Sequence, residues 1–234
     1  MARASRTQEV VEQLLDAIID GRLETGGPLP PEGVLAEEFH VSRLTLRESV
    51  RLLQAQGVIV QVPGRRHRIA PVKEWTGLEA VVRHARSAGE RERSSLELLE
   101  VRMMIETGAA QLAAGRHGES DIVEMRRAVE RMRNAHAEAD VAAFVAADLE
   151  FHDVILRAAD NHILVAALLP LTTMLAETRS ETSAVPEIRE HAIAQHDAVV
   201  EAVASGDPIA ARDAMASHME QTRSDLLGFV HSRG

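Results

Sequence analysis

Hydrophobic positions along the first 70 residues change period several times. Val10, Val11, Leu14, Leu15 and Ile18 recur at helical spacing and predict an amphipathic helix over 7–20. Gly21 and Gly26-Gly27-Pro28 interrupt the pattern. Pro30-Pro31-Glu32 then opens a short helix carrying Leu35, Ala36 and Phe39. Ser42 is placed to cap a third helix, 43–55, with Leu46, Val50 and Leu53 inward and Gly57 as its stop. Two β-branched runs, 58–62 and 67–70, predict a hairpin whose turn is Pro63-Gly64-Arg65-Arg66.

From Trp75 onward the period is helical throughout. Blocks are predicted near 76–87, 94–114, 119–137, 140–158, 162–182, 187–204 and 208–231, with breaks at Gly89, Gly115/Gly118, Asp160-Asn161, Pro186 and Gly206-Asp207-Pro208. The fold class expected is mainly α: an N-terminal winged helix-turn-helix with a small β-hairpin wing, then an antiparallel all-α bundle of six to seven helices. The change of pattern divides the chain into 1–73 and 74–234.

Charge changes at the same place. Residues 41–73 sum to +6, while 74–234 sum to −11 within a chain of net charge −10. A short basic segment inside an acidic protein suits a polyanion-binding module joined to a domain of another kind. The absence of cysteine excludes disulfides, thiolate metal sites and cysteine nucleophiles. No apolar run reaches the length of a membrane span, and Met1-Ala-Arg-Ala-Ser lacks a signal peptide's apolar stretch, so a cytoplasmic protein is expected. The few aromatics do not interleave with the basic residues, which disfavours single-strand or RNA binding by stacking.

The third helix is the element able to enter a major groove. Arg43, Leu44, Arg47 and Arg51 lie on or near one face, opposite Leu46, Val50 and Leu53. Arg43 and Arg47 are placed to reach guanine or phosphate. Gly64, Arg65 and Arg66 form a hairpin tip that can approach the duplex closely, and His67 is a further candidate DNA contact. The run Leu29-Pro30-Pro31-Glu32…Leu35-Ala36…Val41-Ser42-Arg43-Leu44-Thr45-Leu46-Arg47-Glu48-Ser49…Leu52…Gly57 resembles the signature of GntR-type regulators. The resemblance implies operator contacts from Arg43, Thr45 and Arg47, with Gly64, Arg65 and Arg66 in the wing. Two departures stand out: Gly33 replaces an arginine common after Pro-x-Glu, and Arg66 replaces the second glycine of a Pro-Gly-Arg-Gly wing.

In the second half, several polar residues fall on apolar stripes. Asp148 and His152 share the inward face of Phe144, Phe151 and Ile155. His196 lies with Ile193, Val200 and Val203; His218 with Ala211, Ala214, Met215 and Leu226; Arg102 with Leu98, Ile105 and Ala109. Polar groups there are costly unless paired or ligating. An aspartate and three histidines would supply four N/O ligands for Zn²⁺, Ni²⁺ or Mn²⁺. A metal-free structural cluster is the alternative from spacing alone.

Glu100-x-Arg102…Glu106, Asp148-x₃-His152…Asn161 and His196-x₆-Ala202-x₃-Gly206-Asp207…Ala211…His218 resemble the ligand-sensing FCD domain of the FadR subfamily. That resemblance implies a divalent metal on Asp148, His152, His196 and His218, and a small carboxylate effector held with Arg102 and Asn161. The expected whole is a homodimeric regulator, a repressor, on a pseudo-palindromic duplex operator. A metal-dependent hydrolase with a DNA-binding appendage is the alternative from another class. It lacks an evident general base, because Glu150 points away from Asp148.

Overall fold

The computed structural model describes residues 5–64, 66–87, 91–167, 179–180 and 182–231. Two compact units divide between Arg91 and Glu92.

The first unit begins with α1 (Arg6–Ile19), capped by Ser5, whose hydroxyl accepts from Gln8 N. Next come α2 (Glu32–Glu38), with Pro31 before it, and α3 (Arg43–Ala55). Ser42 caps α3 by accepting from Thr45 N. Val10, Leu14, Leu35, Leu46, Leu53, Ile59 and Ile69 form one core. Ser49, buried on α3, donates to Thr7 O at 2.9 Å and Thr45 O at 3.0 Å, fixing α3 to the start of α1.

The hairpin is shorter than the sequence suggests. β1 (Ile59–Val60) pairs antiparallel with β2 (Arg68–Ile69), Ile59 opposite Ile69. The segment 26–29 lies along β2 as well: Gly26 N donates to Ile69 O, Ile69 N to Gly27 O and Leu29 N to His67 O. β2 is therefore lined on both edges, and the wing is held at its base by more backbone than a two-strand reading supplies.

A short 3₁₀ turn (Val72–Glu74) leads to α4 (Leu78–Ser87). The division into units falls after this helix, later than the 73/74 boundary suggested by charge and pattern. Ala80 joins the first core, and Arg83 Nη2 donates to Asp16 on α1 at 2.7 Å. The linker is clamped too. Trp75 Nε1 donates to Ala70 O, and Thr76 N and Gly77 N both donate to Gln56 O.

The second unit contains α5 (Arg91–Ala114), α6 (Glu119–Ala137), α7 (Val141–Ala158), α8 (Pro186–Ala204) and α9 (Pro208–His231). α6 packs on α7 and α8, and α8 on α9. Asp140 caps α7 through Ala143 N, and Asp207 Oδ1 accepts from Ile209 N and Ala210 N ahead of α9. Of the predicted block 162–182, residues 162–167, 179–180 and 182 are helical and the rest lie outside the described residues. No described helix is long and apolar enough to cross a membrane.

Gly57 carries the joint between α3 and the linker. Its φ is +71°, and a Cβ there would lie 3.1 Å from Glu74 O, Thr76 N and Thr76 Oγ1. Gly57→Ala combines left-handed strain with crowding and is expected to cost about 1–3 kcal/mol in urea unfolding; a loss below about 0.5 kcal/mol would show that the clamp is not rigid.

Candidate functional site

Two sites emerge, one in each unit. In the first, α3 offers Arg43, Leu44, Arg47 and Arg51 to solvent while Leu46, Val50 and Leu53 are buried. Arg47 Nε donates to Glu32 Oε2 at 2.7 Å. Such an exposed pair contributes only about 0–1 kcal/mol, too little to compete with an operator base, so it orients the guanidinium. Arg47's terminal amines remain available beyond the Glu32 contact. The guanidinium of Arg43 lies over Gly33, where a Cβ would stand 3.4 Å from Nη2. Arg51 pairs with Glu48 at 2.7 Å. Thr45 sits in the cap: its amide and hydroxyl both meet Ser42 Oγ, at 3.1 and 2.9 Å.

At the wing, Gly64 has φ +68° with nothing within 4 Å of its Cβ direction, and Arg66 is exposed. Arg65 lies outside the described residues. His67 Nδ1 is 3.2 Å from Gln54 Nε2, so this histidine ties the wing to α3.

In the second unit, α5, α7, α8 and α9 converge on a buried polar centre. Asp148 and His152 come from α7, His196 from α8, His218 from α9, and Arg102 and Glu106 from α5; all are buried. His152 Nε2 lies 3.3 Å from His196 Nε2 and 3.4 Å from His218 Nε2. Asp148 Oδ1 is 3.1 Å from His196 Nε2 and 3.8 Å from His152 Nε2, and the Arg179 guanidinium holds its Oδ2. Fully buried Phe151 stands edge-on to His196, with ring centroids 4.3 Å apart.

One contact assigns a ring proton. His196 Nδ1 is 2.5 Å from Ala192 O, which only accepts, so Nδ1 carries the hydrogen. His152 Nδ1 lies 2.5 Å from Glu106 Oε2, a close contact outside hydrogen-bond geometry. Burial opposes ionisation of Glu106, but Arg102 and His152 outweigh it and hold the carboxyl well below the usual range. The Nε2 atom of His196 then faces the cluster with its lone pair. Burial, reinforced by the neighbouring His152, Arg179 and Arg102, pushes His196 well below the ordinary histidine value; burial with His196 and His152 beside it does the same to His218.

Neutral imidazoles with convergent lone pairs are what a divalent metal requires. Bonds of 2.0–2.1 Å in a tetrahedron put ligands about 3.3 Å apart, which the observed Nε2 separations match. The three histidines alone form a group whose ligand atoms lie within 4.8 Å of one another; Asp148 reaches two of them. The residues present fit the ion.

Beside the cluster opens a small cavity of about 70 Å³, lined by Arg102, Asp148, Arg179 and His218 together with Leu99, Phe144, Ile188 and Leu226. Arg102, expected to face an effector, is committed to Glu106 at 2.7 Å, and its Nη2 lies 3.4 Å from His152 Nε2. Asn161 is not brought to the cavity lining; its Oδ1 accepts from Ile163 N and Leu164 N and caps the helical turn that follows. Two participants had no role in the sequence reading. Glu106, four residues after Arg102, is signalled by that spacing on one helix face. Arg179 has no local signal, since tertiary packing alone brings it to Asp148. Glu150 pairs with Arg131 on the surface.

Comparison with known proteins agrees with this two-part organisation. Residues 97–221 match the FCD domain family, and residues 6–69 match the family described as bacterial regulatory proteins, gntR family. The Glc operon transcriptional activator of Escherichia coli K12 is 30% identical, over 93% of this chain and 87% of its own length. The galactonate operon transcriptional repressor of the same strain is 27% identical, over 90% of this chain and 92% of its own. The solved structure of Lar, which controls the expression of the Listeria monocytogenes agr system, shares the fold with a TM-score of 0.66 at 19% identity, covering 97% of this chain and 99% of that one. These relatives are regulators rather than enzymes. A DNA-reading helix with a wing, followed by an FCD domain, is the organisation of the gntR family of bacterial transcription regulators, and this chain belongs to that family.

Proposed function

We propose that the protein is a homodimeric, metal-assisted sensor of a small carboxylate, a repressor of the FadR subfamily that acts on operator DNA in the cytoplasm. The observation that carries this reading is the convergence of three buried Nε2 atoms, with the Nδ1 hydrogen of His196 already engaged. Asp148, His152, His196 and His218 would hold the metal. When bound it would supply a Lewis-acidic point for an anionic group. Arg179 and Arg102, both lining the cavity, supply positive charge for the effector's carboxylate, and Leu99, Phe144, Ile188 and Leu226 match an apolar remainder. A relative named for the galactonate operon supports an organic acid as the class.

Two copies of α3, with Arg43, Arg47 and the wing residues Gly64, Arg65 and Arg66, would engage a pseudo-palindromic duplex. The effector changes operator affinity only by its differential affinity for the DNA-competent and DNA-incompetent arrangements.

Protein purified without an affinity tag is expected to carry about one divalent ion per chain by elemental analysis, and chelator should lower its melting temperature. His196→Ala should lose the ion and the thermal response to organic acids, yet keep operator binding; metal-free protein with a chelator-independent melt would refute the metal site. Separately, Arg47→Ala should weaken operator binding by about 1–3 kcal/mol in a fluorescence-anisotropy titration while the dimer persists by sedimentation. Unchanged affinity would show that α3 is not the reading element.

A further inference from the structure

We propose that Leu44 is a base-reading residue that selects a thymine in each operator half-site through its 5-methyl group. The inference rests on duplex binding by α3 and concerns which chemistry that helix reads. Leu44 is 70% exposed, the most exposed large hydrophobic side chain of α3; Leu52, near the other end, is 43% exposed. A lone exposed leucine is unremarkable on a protein surface. This one stands between Arg43 and Arg47 at the N-terminal end of the helix, three residues from Arg47 and so on a neighbouring part of the same face.

The core has no use for it. Leu46, Val50 and Leu53 fill the inward side of α3 and are buried without it. The other side chains at this end are already committed. Ser42 and Thr45 bond each other in the cap, Arg47 Nε is held by Glu32, and the Arg43 guanidinium lies over Gly33. Gly33 itself brings no side chain from α2. The reading surface at this end of α3 thus consists of two guanidinium groups with one branched aliphatic side chain between them. In the major groove, thymine alone presents a methyl group, and apolar side chains recognise it by contact. Arginines that prefer guanine, flanking an aliphatic group that prefers thymine, specify mixed sequence rather than a purely G-rich half-site.

The test uses the full-length protein and duplexes enriched from a randomised pool. Thymines of the enriched site are replaced one at a time by deoxyuridine, which lacks only the methyl group, and affinity is measured at fixed salt. The native protein should bind about three- to fivefold more weakly at one thymine per half-site, the effect of one buried methyl group. Leu44→Ala should bind the thymine and uracil forms of that site within about 1.5-fold of each other. Leu44→Thr, which retains one methyl, should fall between them. Because Leu44 is exposed, both variants should keep native melting temperatures. Native protein indifferent to every uracil substitution would overturn the proposal, as would Leu44→Ala showing the native loss. Failure to enrich any sequence would overturn operator reading by α3 together with it.

Discussion

Three buried imidazole nitrogens facing one another form the constraint around which the second unit is built. Ring nitrogens 3.3–3.4 Å apart must either share a hydrogen or hold something positive among them. Every neighbouring feature bears on that problem. Ala192 O fixes the Nδ1 hydrogen of His196 and turns its Nε2 inward, and Glu106 Oε2 lies 2.5 Å from His152 Nδ1. Asp148 divides its oxygens between the histidines and Arg179. Arg102 neutralises Glu106 while placing an amine near His152. Removing one partner of such a buried pair leaves an uncompensated charge at a cost of about 3–5 kcal/mol, so the cluster is costly to assemble by chance.

The DNA-reading unit obeys a different rule. Its binding groups are exposed, and their precision comes from short-range bracing. Glu32 steadies Arg47, Ser42 and Thr45 lock the start of α3, and Ser49 fixes the helix to α1. Gln54 and His67 link α3 to the wing. These contacts stabilise the fold little and mainly narrow the directions in which the arginines point. Rigid presentation matters because a bidentate contact to guanine tolerates little angular error.

Much of this was legible in the residue pattern, for identifiable reasons. Helical periodicity located α3, α6 and α7 to within a residue or so because each has an apolar stripe, with Ser42 read as a cap ahead of α3 and Gly115/Gly118 as the break ahead of α6. Asp148, His152, His196 and His218 stood out because polar groups on apolar stripes require partners. What escaped was nonlocal. Pairing of 26–29 with β2 leaves no period in so short a segment, and Arg179 reaches Asp148 only through tertiary packing. Docking of α4 on α1 moved the unit boundary past the charge switch, since Ala80 and Arg83 take part in the first unit. Asn161 was read as a ligand contact, whereas its spacing to Ile163 and Leu164 is that of a helix cap.

The most direct test of the histidine centre is long-range ¹H–¹⁵N NMR of the imidazole rings in chelated protein and after zinc addition. Chelated protein should show His152 and His196 as Nδ1–H tautomers, and zinc should shift the Nε2 resonances of His152, His196 and His218 together, leaving the other histidines unchanged. Nε2–H tautomers at His152 and His196, with no response to zinc, would contradict a metal-ligating centre.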